Sequence, residues 1–149
     1  MTATDHLEPS TVTALPHLLA GAKERFIAES HRRLHAAGYT EITGNGVVFR
    51  WLDPDGSRLA EMVERSGMTK QAFGEHVASL EQHGYLTRVP DPADGRAKLV
   101  VPTERGLAAR EQALRIFAEV EAEWAQLVGV EQLEGVRETL ERIAALPPG

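Results

Sequence analysis

Residues 67–84 read GMTKQAFGEHVASLEQHG. Gly67 is a turn signal, and the Thr69 hydroxyl is placed to accept one of the backbone N–H groups left unpaired at a helix start. Gly84 is the expected C-terminal stop. Between them Phe73, Val77 and Leu80 recur at i, i+4 and i+7, the inward face of an amphipathic helix over Thr69–Gln82. Its outward face carries Lys70, Gln71, Glu75 and Ser79. That set suits either a solvated first turn or a helix built to enter something.

The neighbouring segments decide between these uses. Upstream, Leu59, Met62 and Val63 give a short helix its apolar face, closed by Gly67, so the unit is helix, short turn, helix. Ser57 stands where a helix cap or a short strand could go. Downstream, Tyr85–Val89 and the run LVVP at 99–102 are β-prone and flank DPADGRA at 91–97. Asp94-Gly95 within that segment is a hairpin signal, with a polar tip and an apolar base.

The flanks are helical. Leu15, Leu18, Leu19, Ala22, Phe26 and Leu34 keep a three-or-four spacing, predicting a helix with one buried stripe that ends at Gly38. Residues 39–52 read as a loop containing Gly44, Asn45 and Gly46, then a short helix stopped by Asp53-Pro54-Asp55-Gly56. Thr103 caps a helix of about 25 residues, roughly twice the mean length. Its stripe of Leu107, Leu114, Phe117, Val120, Trp124 and Leu127 is longer than one small domain can cover. Gly129 breaks it, and Leu133, Val136, Leu140 and Ile143 mark a last helix before Pro147. The expected division is a mobile tail (1–12), an N-terminal helix (13–38), a helix-turn-helix and hairpin unit (39–102) and C-terminal helices (103–149).

Composition narrows the class. The chain has 149 residues, 42% hydrophobic and 26% charged, as in soluble globular proteins. No apolar run approaches the ~20 residues that span a bilayer, so no membrane partner is expected. The start lacks a basic region followed by an apolar core, which argues against a signal peptide. The absence of cysteine removes disulfides, thiolate metal sites and thiol catalysis together. A cytoplasmic location is expected. No Gly-rich phosphate loop, nucleophile elbow or paired-carboxylate spacing suggests an enzyme, and no cofactor is implied.

Net charge is −6, the wrong sign for a naive nucleic-acid reading, but it is unevenly spread. Residues 107–149 hold four basic and eight acidic residues, whereas 55–106 hold seven and eight. Lys70, Arg88, Arg96 and Lys98 fall together in that balanced middle. Helix, turn, helix and β-hairpin in this order make a mainly α, winged helix-turn-helix fold with long terminal helices. It suits DNA because a helix about 10 Å across fits the major groove while a hairpin tip reaches the flanking minor groove or phosphates.

The segment SRLAEMVERSGMTKQAFGEHVASLEQHGYLTRVPDPADGRAKLVVPTERG, residues 57–106, resembles the multiple-antibiotic-resistance regulator (MarR) family of bacterial transcription factors. RLAEMVERSGMTKQA, LEQHGYLTRV, DPADGRAKLV and PTERG carry the likeness in the family's order and spacing, over about a third of the chain. It implies a homodimer held by the first and last helices, a palindromic operator in double-stranded DNA, repression, and a small-molecule inducer. It places the recognition helix on Thr69–Gln82, with Thr69, Lys70, Gln71, Ala72, Gly74 and Glu75 facing the groove. Arg58, Arg88 and Lys98 join the expected DNA contacts. The wing's acid–arginine pair falls on Asp94 and Arg96, the carboxylate orienting the guanidinium for the minor groove. The chain departs from the family at Gly95, where many members carry a basic residue, and at His76, commonly aliphatic. Phe49, Trp51 and Trp124 are candidates to line an inducer pocket.

His31 and His35 stand at i, i+4, half a metal site, but HRRLH supplies no acidic third ligand and a solvated surface pair is the expectation. The alternatives are a winged-helix protein-interaction module without sequence-specific DNA binding, which the acidic total would suit, and a metal-responsive regulator.

Overall fold

The computed structural model describes residues 14–149; the expected tail at 1–12 lies outside them. Helix α1 (Leu15–Ala36) has Pro16 in its first turn, where a missing N–H costs nothing, and ends as the backbone turns left-handed at Gly38. A 3-10 turn (Gly44–Val47) leads into the short α2 (Val48–Trp51). Gly44, Asn45 and Gly46, which oppose a regular helix start, form this tighter turn instead. It is held by the buried Asn45 side chain: Oδ1 accepts from Thr43 N at 2.8 Å, and Nδ2 donates to Glu41 O at 3.0 Å and Ser79 Oγ at 3.1 Å.

Helix α3 (Leu59–Ser66) ends at Gly67 with φ of 68°, a conformation glycine adopts without steric cost. Helix α4 (Lys70–Gln82) follows at once. Phe73, Val77 and Leu80 are fully buried against Met62, Val48 and Tyr85, each contributing about 1.5–3 kcal/mol by burial.

Strands β1 (Leu86–Asp91) and β2 (Asp94–Pro102) form the antiparallel wing, from Leu86 opposite Pro102 up to Asp91 opposite Asp94. Ser57 takes the short-strand option, exchanging backbone hydrogen bonds with Val100 at 3.0 and 2.9 Å. Arg58, not Ser57, precedes the first turn of α3. The hairpin turn lies on Pro92 and Ala93, not on Asp94-Gly95, which opens β2. Asp91 Oδ1 accepts from Ala93 N at 2.9 Å and closes the turn two residues earlier than the Asp-Gly signal suggests.

Helix α5 (Glu104–Val128) starts as expected, Thr103 Oγ1 accepting from Gly106 N at 3.1 Å, packs on α1 and ends at Gly129. Helix α6 (Val130–Ala144) completes the chain. Phe26 of α1 lies 5.8 Å from the Phe117 ring and meets Trp124 edge-on at 5.3 Å. Arg33 ties the same two helices, its guanidinium reaching Glu29 at 2.7 Å, Glu123 at 2.6 Å and Glu119 at 3.5 Å.

The stripe on α1 is not buried over its length within one chain. Leu34 is buried, but Leu15 is 63% and Leu18 53% exposed. On α5, Ile116 and Val120 are buried while Leu107, Leu114 and Leu127 are open; α6 buries no residue at all. The apolar periodicity of these helices therefore exceeds what their own domain covers. No helix among the described residues is long and apolar enough to cross a membrane.

Candidate nucleic-acid interface

Helix α4 begins at the surface. Thr69 Oγ1 accepts from Ala72 N at 3.1 Å, so the cap is used internally. Lys70, Gln71 and Glu75 are exposed, and Ala72 and Gly74 are half-buried beside them. A weak contact of 3.4 Å joins Gln71 Nε2 to Glu75 Oε1, so both ends are readily exchanged for another partner. A Cβ added at Gly74 would meet nothing within 4 Å, so no packing requires this glycine. The inner face, pinned by Phe73, Val77, Leu80 and the Asn45–Ser79 hydrogen bond, keeps this exposed first turn rigidly placed.

At the wing, Arg96 and Lys98 are exposed on β2. Among the described residues no ion pair engages Lys70, Arg96 or Lys98. Asp94 does not orient the Arg96 guanidinium: Asp94 Oδ1 accepts from the Arg96 backbone N–H at 3.1 Å, leaving the side chain unpaired. The acid–arginine pair of the wing is a different one. Arg58 donates from Nε at 2.8 Å and Nη2 at 2.6 Å to Asp91 Oδ2. The Ala93 N–H and Arg58 together hold the Asp91 carboxyl below the usual carboxylate range. Arg88 is likewise committed, donating to Glu81 Oε1 from Nε at 3.1 Å and Nη2 at 2.9 Å and so tying β1 to the last turn of α4.

Behind the wing, the buried Tyr85 hydroxyl donates to Glu41 Oε2 at 2.8 Å and accepts from Arg105 Nη2 at 3.0 Å. That hydroxyl lowers the Glu41 pKa, while burial raises that of the Tyr85 phenol. The triad joins the loop after α1, the start of the wing and the first turn of α5. Sequence reasoning missed it, and missed Asp91, because the partners are separated by up to 64 positions and no local spacing announces them.

The aromatic candidates for a ligand pocket all pack, half-buried, against the core. Phe49 and Trp51 sit half-buried on α2, with Arg50 over the Trp51 ring at 4.7 Å, and Trp124 packs on Phe26. Two shallow surface cavities are lined by other residues: one of about 250 Å³ between α5 and α6, and one of about 330 Å³ bounded by Leu59, Ala60, Val63 and Lys70. His31 and His35 stack with ring centres 6.0 Å apart. His35 Nε2 donates to Ile42 O at 2.6 Å, which leaves one ring nitrogen of that residue for any other use. Among the described residues no group of three or more His, Asp or Glu side chains is arranged to hold a metal ion.

A helix-turn-helix with an exposed second-helix start, joined to a two-stranded wing bearing unpaired cations, defines the winged helix-turn-helix class. Residues 48–97, a stretch running from α2 into β2, match the MarR family model. No curated protein matches the sequence. Among solved structures, a MarR-family transcriptional regulator from Rhodococcus sp. RHA1 is similar over 93% of this chain and 99% of its own, with 19% identity and a TM-score of 0.71. CouR from Rhodococcus jostii RHA1, bound to p-coumaroyl-CoA, is similar over 92% and 96%, with 20% identity and a TM-score of 0.70. The repressor CouR bound to a 23-mer DNA duplex is similar over 87% and 92%, with 23% identity and a TM-score of 0.68. The shared architecture thus includes the terminal helices as well as the winged helix.

Proposed function

We propose that this chain is a sequence-specific DNA-binding transcriptional repressor that grips a palindromic operator as a homodimer and is released by a non-covalent small molecule. The observation that carries the reading is the pairing of a rigid, exposed α4 start with a wing whose Arg96 and Lys98 have no ion partner among the described residues. Lys70, Gln71 and Glu75 would meet base edges and nearby phosphates in the major groove. Arg96 would enter the minor groove, with Lys98 on the backbone. The uncovered apolar residues of α1, α5 and α6 support the dimer, since leaving Leu15, Leu18, Leu127 and Val130 in water forfeits their burial energy. Two-fold symmetry of the protein would then demand two-fold symmetry of the site.

Support for a ligand comes from the fold shared with CouR, whose structure holds p-coumaroyl-CoA. Phe49, Trp51 and Trp124 remain the residues assigned to that role here. The test is selection of bound sites from random duplex DNA at one stated salt concentration. An inverted repeat with half-sites about one helical turn apart is expected. Recovery of no enriched sequence would overturn sequence-specific binding and favour a protein-interaction module.

A further inference from the structure

We propose that Arg58 is a positioning residue for the wing, its ion pair with Asp91 setting where the wing tip stands relative to α4. This rests on the DNA-binding reading for its consequence, though not for its geometry. The ladder between β1 and β2 is regular from Leu86 to Pro90, then breaks: Pro90 lies opposite Lys98, but Asp91 lies opposite Asp94. Gly95, Arg96 and Ala97 thus have no ladder partner, and Pro90 has no N–H to offer. The backbone therefore loses its hold on the tip at the point where DNA would be touched.

Asp91 replaces that hold. Its side chain is 8% exposed although its neighbours Val89, Pro90, Pro92 and Ala93 all lie at the surface. One oxygen closes the turn through Ala93 N, and the other receives both Arg58 donors. Arg58 itself is firmly placed, because Ser57 is stitched to Val100 at the wing base and Leu59 begins α3. A strut therefore runs from the helix-turn-helix to the wing tip and fixes the spacing between Lys70–Gln71 and Arg96. An arginine that touched phosphate directly would not need a buried carboxylate on two of its nitrogens.

The test compares Arg58→Gln, Asp91→Asn and the double variant in the full chain. Two readouts are used: amide hydrogen exchange of residues 93–97 without DNA, and affinity for a duplex that the unaltered protein selects from random DNA. Loss of a charge-assisted pair should speed exchange of those amides about tenfold in each single variant, with the thermal midpoint nearly unchanged. Affinity should fall about tenfold in each, and no further in the double variant, as one shared contact requires. The Asp91→Asn result is decisive, because removing an acid from a DNA-binding face ordinarily tightens binding. Unchanged or tighter binding by Asp91→Asn, with loss only in Arg58→Gln, would overturn the proposal and make Arg58 a direct contact. Unchanged exchange in both variants would overturn it as well. If the unaltered protein bound no duplex, the DNA-binding reading would fail, and exchange would still decide the strut.

Discussion

Two glycine-to-alanine substitutions should move stability in opposite directions. Gly106 stands in the first turn of α5, where that helix crosses the start of the wing. A Cβ there would overlap the Tyr85 carbonyl oxygen, with the carbonyl carbon at 3.0 Å and Pro102 Cβ at 3.5 Å. The obstacle is backbone and it is pinned: Tyr85 N donates to Leu80 O at 2.9 Å, and Tyr85 O accepts from Thr103 N at 3.0 Å. Relief requires α5 to lift, straining the Thr103 cap on Gly106 N as well. Overpacking of this kind costs about 1–3 kcal/mol, and weakening two hydrogen bonds adds about 1 kcal/mol each. Alanine's better helix propensity returns at most about 1 kcal/mol, leaving a net loss of about 2–4 kcal/mol. For a chain of this size that lowers the melting midpoint by about 4–16 °C. Gly74 is the control: with nothing within 4 Å of its Cβ, alanine should raise the midpoint by about 2–4 °C. Far-UV circular dichroism melts at one fixed protomer concentration measure both, because an oligomer's midpoint depends on concentration. A Gly106→Ala protein melting within about 2 °C of the unaltered one would refute the close crossing of α5 on Tyr85.

On a selected operator, Gln71→Ala should relax preference at one base position per half-site, costing about 1–3 kcal/mol of discrimination in a competition assay. Arg96→Ala should weaken specific and non-specific binding alike and flatten the salt dependence by about one unit of slope per lost phosphate contact; an unchanged slope removes the wing from the interface. Light scattering at micromolar concentration should return a dimer, and a folded species of 16.3 kDa would contradict the role given to the terminal helices. Peroxide should cause no DNA release that a thiol reductant reverses, because the chain has no cysteine to oxidise. Acid should loosen the α1–α5 clamp: hydrogen bonds from Arg32 and Arg33 lower the Glu29 pKa to about 2, and Arg33 lowers that of Glu123. Carboxylates depressed on folding contribute stability that is present above their ordinary pKa of 4.5 and lost as pH falls toward 2. Denaturant titrations should therefore show the penalty of Glu29→Gln at pH 6 shrinking as pH falls toward 2.

What the sequence determined by itself was whatever local stereochemistry controls. Thr69 and Thr103 announce helix starts because a hydroxyl reaches an N–H three residues on, and both are used that way. Gly38, Gly67 and Gly84 announce stops and adopt the left-handed backbone that permits them. The three-or-four spacing of Phe73, Val77 and Leu80 marks the buried face of α4, and hence leaves Lys70, Gln71 and Glu75 outside. Tertiary structure decided everything that depends on which distant groups meet. Asp94-Gly95 carries a strong turn preference, yet the Asp91 side chain, held by Arg58 from 33 residues away, moves the turn to Pro92-Ala93. Arg88 and Arg96 are both arginines on the wing, and only the packing of β1 on α4 brings Glu81 to the first, while the second has no ion pair among the described residues. Periodicity likewise shows that α1, α5 and α6 have apolar stripes, but it cannot tell a face covered by its own chain from one awaiting another. Leu34 and Leu18 share a pattern, and burial separates them because α5 passes over one end of α1 and not the other.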